Sequence, residues 1–264
     1  MGESIVVTSG KGGVGKTTTS ANIGTALALE GRKVCLVDTD IGLRNLDVLL
    51  GLENRIVYDL VDVIEGNCTH QQALIKDKRC DTLFLIPAAQ SKDKSAVSSQ
   101  QLRDLIAELK EEFDYVIIDC PAGIELGFKN AVVGADQAIV VTTPENTAVR
   151  DADRVIGLLE KEDVGKPKLI VNRYRPQLVK DGGMMKVDDV VNILAIDLLG
   201  VVPDDESIIR AGSQGEPAVF EAKCPAGRAY RNVARRIQGE VVPLLPLEKR
   251  GGFFFKLKSW LGIR

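Results

Sequence analysis

The stretch SIVVTSGKGGVGKTTTS, residues 4–20, determines the fold predicted for this chain of 264 residues. A β-branched run at residues 4–8 is joined to a segment of helical period at residues 17–30 by a loop of the pattern G-x-x-x-x-G-K-[ST]. In such a loop the backbone N–H groups and the helix N-terminus converge on one anion. The sequence therefore predicts a nucleotide-phosphate site formed by Gly10, Lys11, Gly12, Gly13, Val14, Gly15, Lys16, Thr17 and Thr18.

Two side chains of this loop carry specific chemistry. Lys16 is expected to reach the β- and γ-phosphates, and the Thr17 hydroxyl is a natural ligand for Mg²⁺. A further apolar run at residues 115–119 ends in Asp119, the position at which P-loop proteins carry the carboxylate that holds the metal's water shell. The pattern thus predicts a site for ATP with Mg²⁺.

Two more carboxylates, Asp38 and Asp40, follow the apolar run at residues 33–37. Open α/β sheets bind ligands at the carboxyl ends of their strands, so one of the two is a candidate to polarise an attacking water. Turn and capping chemistry is the alternative for such residues, and Asp47 fits a helix N-cap better than Asp38 or Asp40 does.

Short apolar runs alternate with helical segments along the rest of the chain. Near-continuous Val, Ile and Leu is typical of strands buried on both faces of a parallel sheet, with helices as crossovers. We therefore predict an α/β fold with a doubly wound, mostly parallel sheet. The predicted strands are 4–8, 33–37, 83–87, 115–119, 138–142, 168–172 and 199–202. The predicted helices are 17–30, 100–112, 147–163, 187–195 and two that begin at Ser207 and Cys224.

Composition excludes several classes of protein. A net charge of −3 with 45% apolar and 27% charged residues describes a globular chain and argues against a strongly basic nucleic-acid-binding domain. No apolar stretch approaches the roughly 18 residues of a transmembrane helix, and no signal-peptide pattern opens the chain. The expected location is the cytosol.

The five cysteines are scattered, odd in number and never spaced as CxxC, so they predict neither a disulfide framework nor a zinc or iron–sulfur site. Cys35 and Cys120 lie inside apolar runs and are expected to be buried thiols. His70, the one histidine, is expected on a surface helix.

Lys11 turns the loop into the KGGVGK variant, and at this point the sequence resembles the deviant Walker A, or ParA/MinD, family of ATPases. That family segregates plasmids, positions division sites, reduces nitrogen or handles iron–sulfur clusters. The segments that look like its septum-site-determining members are DTDIGLRNLD at 38–47, YD at 58–59, ALIKD at 73–77, DCPAGIE at 119–125, SQGEP at 213–217 and the basic end. The resemblance covers essentially the whole chain.

The resemblance implies a role for each matching residue. Lys11 corresponds to the lysine that reaches the partner's nucleotide in an ATP-sandwich dimer, and Asp40 to the switch I carboxylate that handles the attacking water. With Lys16 they form the expected catalytic set. The implied metal set is Thr17, Asp38 and Asp119. Asn172, Pro203 and Asp205 lie in segments similar to those that contact adenine, with an ordinary strand end and loop as the alternative.

The end of the chain has its own pattern, so we predict an ATPase domain at 1–245 and a membrane-targeting segment at 246–264. At about 100° per residue, an apolar face spans roughly 120° and is flanked by lysines. The face consists of Phe253, Phe254, Leu257, Trp260 and Leu261, and the lysines are Lys256 and Lys258. Such a helix fits an anionic membrane surface; the alternative is a terminal helix docked on its own domain.

The implied partners are a second copy of the chain in the presence of ATP, anionic inner-membrane lipids, a MinC-like septum inhibitor and a MinE-like or other topological regulator. The implied location is the cytoplasm, with reversible peripheral binding to the cytoplasmic face of the cell membrane. No specific nucleic acid is expected.

Three alternatives share parts of this pattern. A ParA-like DNA-partitioning ATPase would bind non-specific DNA instead of lipid, an iron–sulfur carrier would need cluster-ligating cysteines, and a scaffold would bind ATP without hydrolysing it.

Overall fold

The structure is a computed structural model that describes residues 1–93, 96–162 and 164–246. Its strands are the apolar runs, buried because helices cover both faces of the sheet. The strands within these residues are β1 (Glu3–Thr8), β2 (Val34–Asp38), β3 (Ile75–Lys76), β4 (Leu83–Ile86), β5 (Tyr115–Asp119), β6 (Gln137–Thr142), β7 (Lys168–Tyr174) and β8 (Asp197–Pro203).

The described strands form one sheet with the order β3-β4-β2-β5-β1-β6-β7-β8. Every neighbouring pair is parallel except β3 and β4, which are antiparallel at one edge. The doubly wound, mostly parallel sheet is therefore confirmed. Strand β3 was not predicted because two residues are too few to show a hydrophobic period.

The helices lie on both faces of the sheet. They are α1 (Lys16–Leu29), α2 (Leu46–Leu50), α3 (Leu60–Ile64), α4 (His70–Ala73), α5 (Ser99–Glu112), α6 (Leu126–Val132), α7 (Asn146–Leu159), α8 (Pro176–Lys180), α9 (Val187–Leu194), α10 (Glu206–Ser213) and α11 (Pro225–Ile237). The short helices α2, α3, α6 and α8 were not predicted, since each is too short for a 3.6-residue period to stand out. Helix α4 carries His70, which was expected on a surface helix.

Alternate residues of β1 contribute to two hydrophobic cores, one on each face of the sheet. Val6 packs in the core that contains Leu105 of α5. Ile5 belongs to the opposite core, with Ile23 of α1 and Tyr230 of α11. This alternation follows from the two-residue period of a strand, and β1 lies inside the sheet, between β5 and β6.

The strand order brings the carboxyl ends of β1, β2 and β5 to one edge of the sheet. Asp119 is in register with Val7 of β1 on one side and with Asp38 of β2 on the other. The loop that follows β1 and the predicted carboxylates therefore converge, as expected for an open α/β sheet.

The predicted N-cap role of Asp47 is wrong. Helix α2 has Asn45 at the cap position, while Asp47 lies buried in the first turn and pairs with Arg44, with Nε and Oδ2 3.0 Å apart. The Leu46 N–H donates instead to Oδ2 of Asp38, at 3.3 Å. A carboxylate distant in sequence thus satisfies this helix end, which local spacing does not reveal.

Helix α11 ends at Ile237, and the described chain continues to Pro246. The predicted membrane face, from Phe253 to Leu261, lies outside the described residues. Within the part of the chain that is described, no helix has both the length and the hydropathy needed to cross a membrane.

Candidate functional site

The loop between β1 and α1 forms a cradle of backbone with no room for side chains at two of its glycines. A Cβ on Gly10 would lie 2.1 Å from the carbonyl oxygen of Asp151 in α7. Gly15 has φ of 93°, in the left-handed region, and a Cβ there would lie 2.3 Å from Nδ2 of Asn172. The loop therefore needs glycine at both positions, and its backbone N–H groups are available to an anion.

Lys16, the first residue of α1, lies beneath this cradle. Its Nζ is 3.4 Å from Oδ1 of Asp119 and 3.5 Å from Oγ1 of Thr17. Burial acts to lower the pKa of Lys16, but the opposing charge of Asp119 raises it above the usual value. Lys16 is thus a buried ammonium whose counter-charge is the carboxylate at the end of β5.

Ser20, one helical turn beyond Lys16, donates a 2.8 Å hydrogen bond to the same Oδ1 of Asp119. Thr39 donates from Oγ1 to the Asp119 carbonyl oxygen at 2.7 Å. These bonds fix both the side chain and the backbone of Asp119. Neither Ser20 nor Thr39 was predicted to belong to the site. Residues four apart on a helix lie on the same face, so the spacing of Lys16 and Ser20 indicates that both can reach the same carboxylate.

Asp38 is buried beside Asp119, and its carboxylate accepts hydrogen bonds from the backbone. Oδ1 accepts from the Asp40 N–H at 3.0 Å and Oδ2 from the Leu46 N–H at 3.3 Å. Burial first, and then the charge of Asp119, raise the pKa of Asp38 to about 7. Asp38 thereby fixes the backbone that carries Asp40, which is itself buried.

The residues at this edge fit a divalent cation. Oδ2 of Asp119 is buried and has no hydrogen-bond partner among the described residues. Burial of a polar atom without a hydrogen-bond partner costs free energy. Mg²⁺ prefers oxygen ligands, so it would supply the partner that this atom lacks. Within the described ranges no group of three His, Cys, Asp or Glu residues could hold a metal ion together.

A cavity of about 350 Å³ continues from the loop toward the ends of β7 and β8. Five of the predicted nucleotide-binding residues line it together with Tyr230 and Arg173. The five are Gly15, Thr18, Asn172, Pro203 and Asp205. Nδ2 of Asn172 donates to the carbonyl oxygen of Val14 at 2.8 Å, so the predicted adenine segment is joined directly to the phosphate loop.

Asp205 lines this cavity, but its carboxylate is already engaged. It caps α10 through the Ser207 N–H at 2.9 Å, and its Oδ2 accepts from the Ala226 N–H at 3.2 Å. Burial acts to raise the pKa of Asp205, and these hydrogen bonds lower it below the usual value. Its side chain therefore shapes the wall of the cavity by fastening α10 to α11.

Arg173 is a lining residue that sequence reasoning missed. It follows Asn172 with φ of 53°, a left-handed conformation uncommon for residues other than glycine. Lys11, by contrast, was predicted in the loop, and the structure leaves it exposed. The remaining predicted loop residues form the cradle itself.

Comparison with known proteins agrees with this geometry. A ParA family model, described as NUBPL iron-transfer P-loop NTPase, matches residues 1–238. The septum site-determining protein MinD of Bacillus subtilis (strain 168) is 64% identical over 267 residues, covering 100% of both chains. The chain belongs to the MinD family. The predicted family is thereby confirmed, and the MinD relationship favours placement of the division site over DNA partitioning.

Two solved structures of MinD proteins match closely. The MinC:MinD complex of Aquifex aeolicus aligns with a TM-score of 0.87 and 49% identity, covering 92% of this chain and 99% of that one. MinD from Pyrococcus horikoshii OT3, complexed with Mg-ADP, aligns with a TM-score of 0.81 and 30% identity, covering 90% and 96%. The P-loop fold of the MinD family is therefore the fold of this chain.

Proposed function

We propose that this chain is a Mg²⁺-dependent ATPase that dimerises with ATP, binds the membrane as a dimer and recruits a septum inhibitor there. Hydrolysis of ATP to ADP and phosphate then releases this protein from the membrane. The observation that carries the proposal is the Lys16–Asp119 pair, 3.4 Å apart under the glycine loop and beside Asp38.

The phosphates are bound by residues that the fold has already oriented. The N–H groups of the loop and the N-terminus of α1 present positive ends to the β- and γ-phosphates. Lys16 would exchange its contact with Asp119 for a contact with phosphate, which would leave Oδ1 of Asp119 with the Ser20 hydrogen bond and Oδ2 without a partner. When bound, Mg²⁺ supplies further charge neutralisation at the phosphate oxygens, with Thr17, Asp38 and Asp119 as the residues that hold it and its water shell.

Hydrolysis requires a positioned water and charge stabilisation on the transferring phosphoryl group. Asp40 is the residue proposed to orient the water, since Asp38 holds its backbone N–H beside the metal carboxylates. Lys11 is proposed to act on the partner's nucleotide. Its exposure at the rim of the loop is compatible with a contact outside its own subunit. Turnover should therefore depend on the dimer.

Membrane binding is proposed for residues 246–264, from their sequence. Five basic residues there, at about 1 kcal/mol each near an anionic surface, give an upper bound of roughly 5 kcal/mol before the cost of ordering the segment. One segment should bind marginally. Two on one dimer gain an effective concentration on the order of millimolar for the second contact, so ATP controls residence on the cytoplasmic face of the cell membrane.

The partner proposals follow from the family. A solved complex of MinC with MinD supports a MinC-like septum inhibitor as a partner of this chain. A MinE-like or other topological regulator is proposed to stimulate hydrolysis.

Phosphate release and light scattering, measured together, test the proposal. Mg-ATP should give dimers and turnover, whereas ADP, or ATP with a chelator, should give neither. Dimers without phosphate release would indicate the scaffold alternative. Co-sedimentation with DNA in ATP, falling steeply as salt rises, would favour the DNA-partitioning alternative instead.

A further inference from the structure

The segment after α11 contacts the body of the protein as far as Leu245. The N–H groups of Gly239 and Glu240 donate to the carbonyl oxygens of Arg236 and Arg235 at 3.0 Å each. Leu245 packs against the core that contains α1 and α11. Leu245 also lines a cavity with Val201 and Pro203 of the edge strand β8, so the chain stays beside this strand beyond the end of α11.

Arg236 is at the centre of this arrangement. Its Nε donates to the carbonyl oxygen of Val242 at 2.8 Å, its Nη1 to that of Leu199 in β8 at 2.9 Å, and its Nη2 to that of Pro243 at 2.9 Å. One planar guanidinium thus joins α11, the edge strand β8 and the exit segment 241–246. Lysine lacks this rigid fork of donors, so it is not an equivalent residue here.

The three hydrogen bonds of Arg236 set the length of chain between the ATPase domain and the predicted membrane face, which begins at Phe253. With the exit segment held, the connection is residues 247–252; with it released, the connection is residues 241–252, twice as long. Once one membrane segment of a dimer has bound, the effective concentration of the second segment at the membrane falls roughly as the −3/2 power of the connector length. Release of the exit segment doubles that length, so it should lower this effective concentration about threefold.

We infer that Arg236 is a positioning residue for membrane attachment, which holds the exit segment so that both membrane segments of a dimer leave from fixed points on short connectors. This inference rests on the proposed membrane function. Arg236 contacts no residue that lines the nucleotide cavity through these three bonds, so its effect should appear in membrane binding and not in hydrolysis.

Four full-length proteins test the inference: wild type, Arg236→Lys, Arg236→Ala and wild type with six Gly/Ser residues inserted after Pro246. Arg228→Lys is the matched control, because Arg228 is exposed on the same helix and lines a cavity with Leu245 and Pro246, while the side-chain hydrogen bonds to residues 241–246 in the described chain come from Arg236. Binding to anionic vesicles is titrated in ATP, together with dimerisation, phosphate release and amide exchange of a peptide covering 241–246.

We expect faster exchange at 241–246 in both Arg236 variants and an apparent Kd for vesicles raised about threefold. Dimerisation, phosphate release and the Arg228→Lys control should match wild type. The insertion should weaken vesicle binding by a similar factor with exchange unchanged, because it alters connector length alone. Arg236→Lys retains the charge, so loss of electrostatic attraction does not account for its effect.

Two results would overturn the inference: unchanged exchange at 241–246 in both Arg236 variants, or faster exchange with wild-type vesicle binding. Failure of the proposed function looks different, since the wild type itself would then not bind vesicles in ATP.

Discussion

Nζ of Lys16 lies 3.4 Å from Oδ1 of Asp119, so the lysine proposed to bind phosphate and the carboxylate proposed to hold the metal form a buried ion pair. Both side chains are almost completely buried. An isolated buried charge is costly. The pairing therefore compensates the two buried charges at the proposed site.

Lys16→Ala should abolish ATP-dependent dimerisation and membrane binding. The substitution removes the ammonium that compensates the β- and γ-phosphates, a charged hydrogen bond whose loss lowers ATP affinity by roughly 10- to 100-fold. Size-exclusion chromatography with ATP measures the dimer, with Lys166→Ala, an exposed lysine, as the control. Wild-type dimerisation in the Lys16 variant would count against the phosphate site.

Asp40→Ala should separate binding from hydrolysis. ATP still binds and the dimer still forms, because the loop and Lys16 are intact, but turnover falls by roughly 10²- to 10⁴-fold when the water loses its orienting group. The protein should then accumulate on vesicles. Phosphate release measures this, with the exposed Asp188→Ala as control; normal turnover would remove Asp40 from the catalytic set.

Lys11→Ala should leave nucleotide binding to the monomer largely intact while impairing the dimer and its turnover. The reason is that the exposed Lys11 is proposed to contact the nucleotide of the other subunit. Titration with a fluorescent nucleotide at low protein concentration measures nucleotide affinity of the monomer, and light scattering measures formation of the dimer. A crystal of the ATP-bound protein with Lys11 on its own nucleotide would contradict the trans role.

Asp38→Asn should change stability in a pH-dependent way. The pKa of Asp38 is about 7 in the folded protein, against 3.8 for the unperturbed group. Between these values the unfolded chain has lost a proton that the folded protein retains, so this residue makes the wild type less stable as pH rises from about 4 to 7. Asparagine does not titrate. The stability of the variant relative to wild type should therefore improve over that range by about 1 kcal/mol or more, as measured by urea unfolding at pH 4.5 and 8.

A variant whose relative stability did not change between those two pH values would contradict the buried, charge-repelled state of Asp38. Asp188→Asn, at an exposed position, provides the comparison.

The parts of this protein that the sequence predicts are those with local signals. The loop at residues 10–17 and the run ending at Asp119 are patterns within single segments, and the parallel sheet follows from their alternation with helices. The buried thiols Cys35 and Cys120 were predicted for the same reason and are confirmed.

The parts that the sequence does not predict arise from contacts between distant segments. Asp38 satisfies the first N–H group of α2, which made the cap prediction for Asp47 wrong. His70 lies on helix α4, in agreement with the prediction of a surface helix, but its contacts with Glu108 and Glu112 of α5 were not predicted; Nε2 is 2.8 Å from Oε1 of Glu112. The contact of Arg236 with the exit segment likewise involves a distant element, because Nη1 of Arg236 also donates to Leu199 of the edge strand β8.

Removal of the predicted membrane segment should abolish vesicle binding without affecting the ATPase domain. Truncation after Leu247 removes the predicted apolar face, and Trp260→Glu with Leu261→Glu disrupts it, whereas the described residues that line the nucleotide cavity are unchanged in both variants. ATP binding and dimerisation should persist. A truncated protein that unfolds at a much lower temperature would instead indicate a helix docked on its own domain.

Nucleotide state is proposed to control membrane residence, and co-sedimentation of the full-length protein with anionic liposomes in ATP and in ADP measures this control. Two membrane segments act together only in the ATP dimer, so binding in ATP should be stronger by at least tenfold. Equal binding in ATP and ADP would mean that one segment suffices and that hydrolysis does not release the protein.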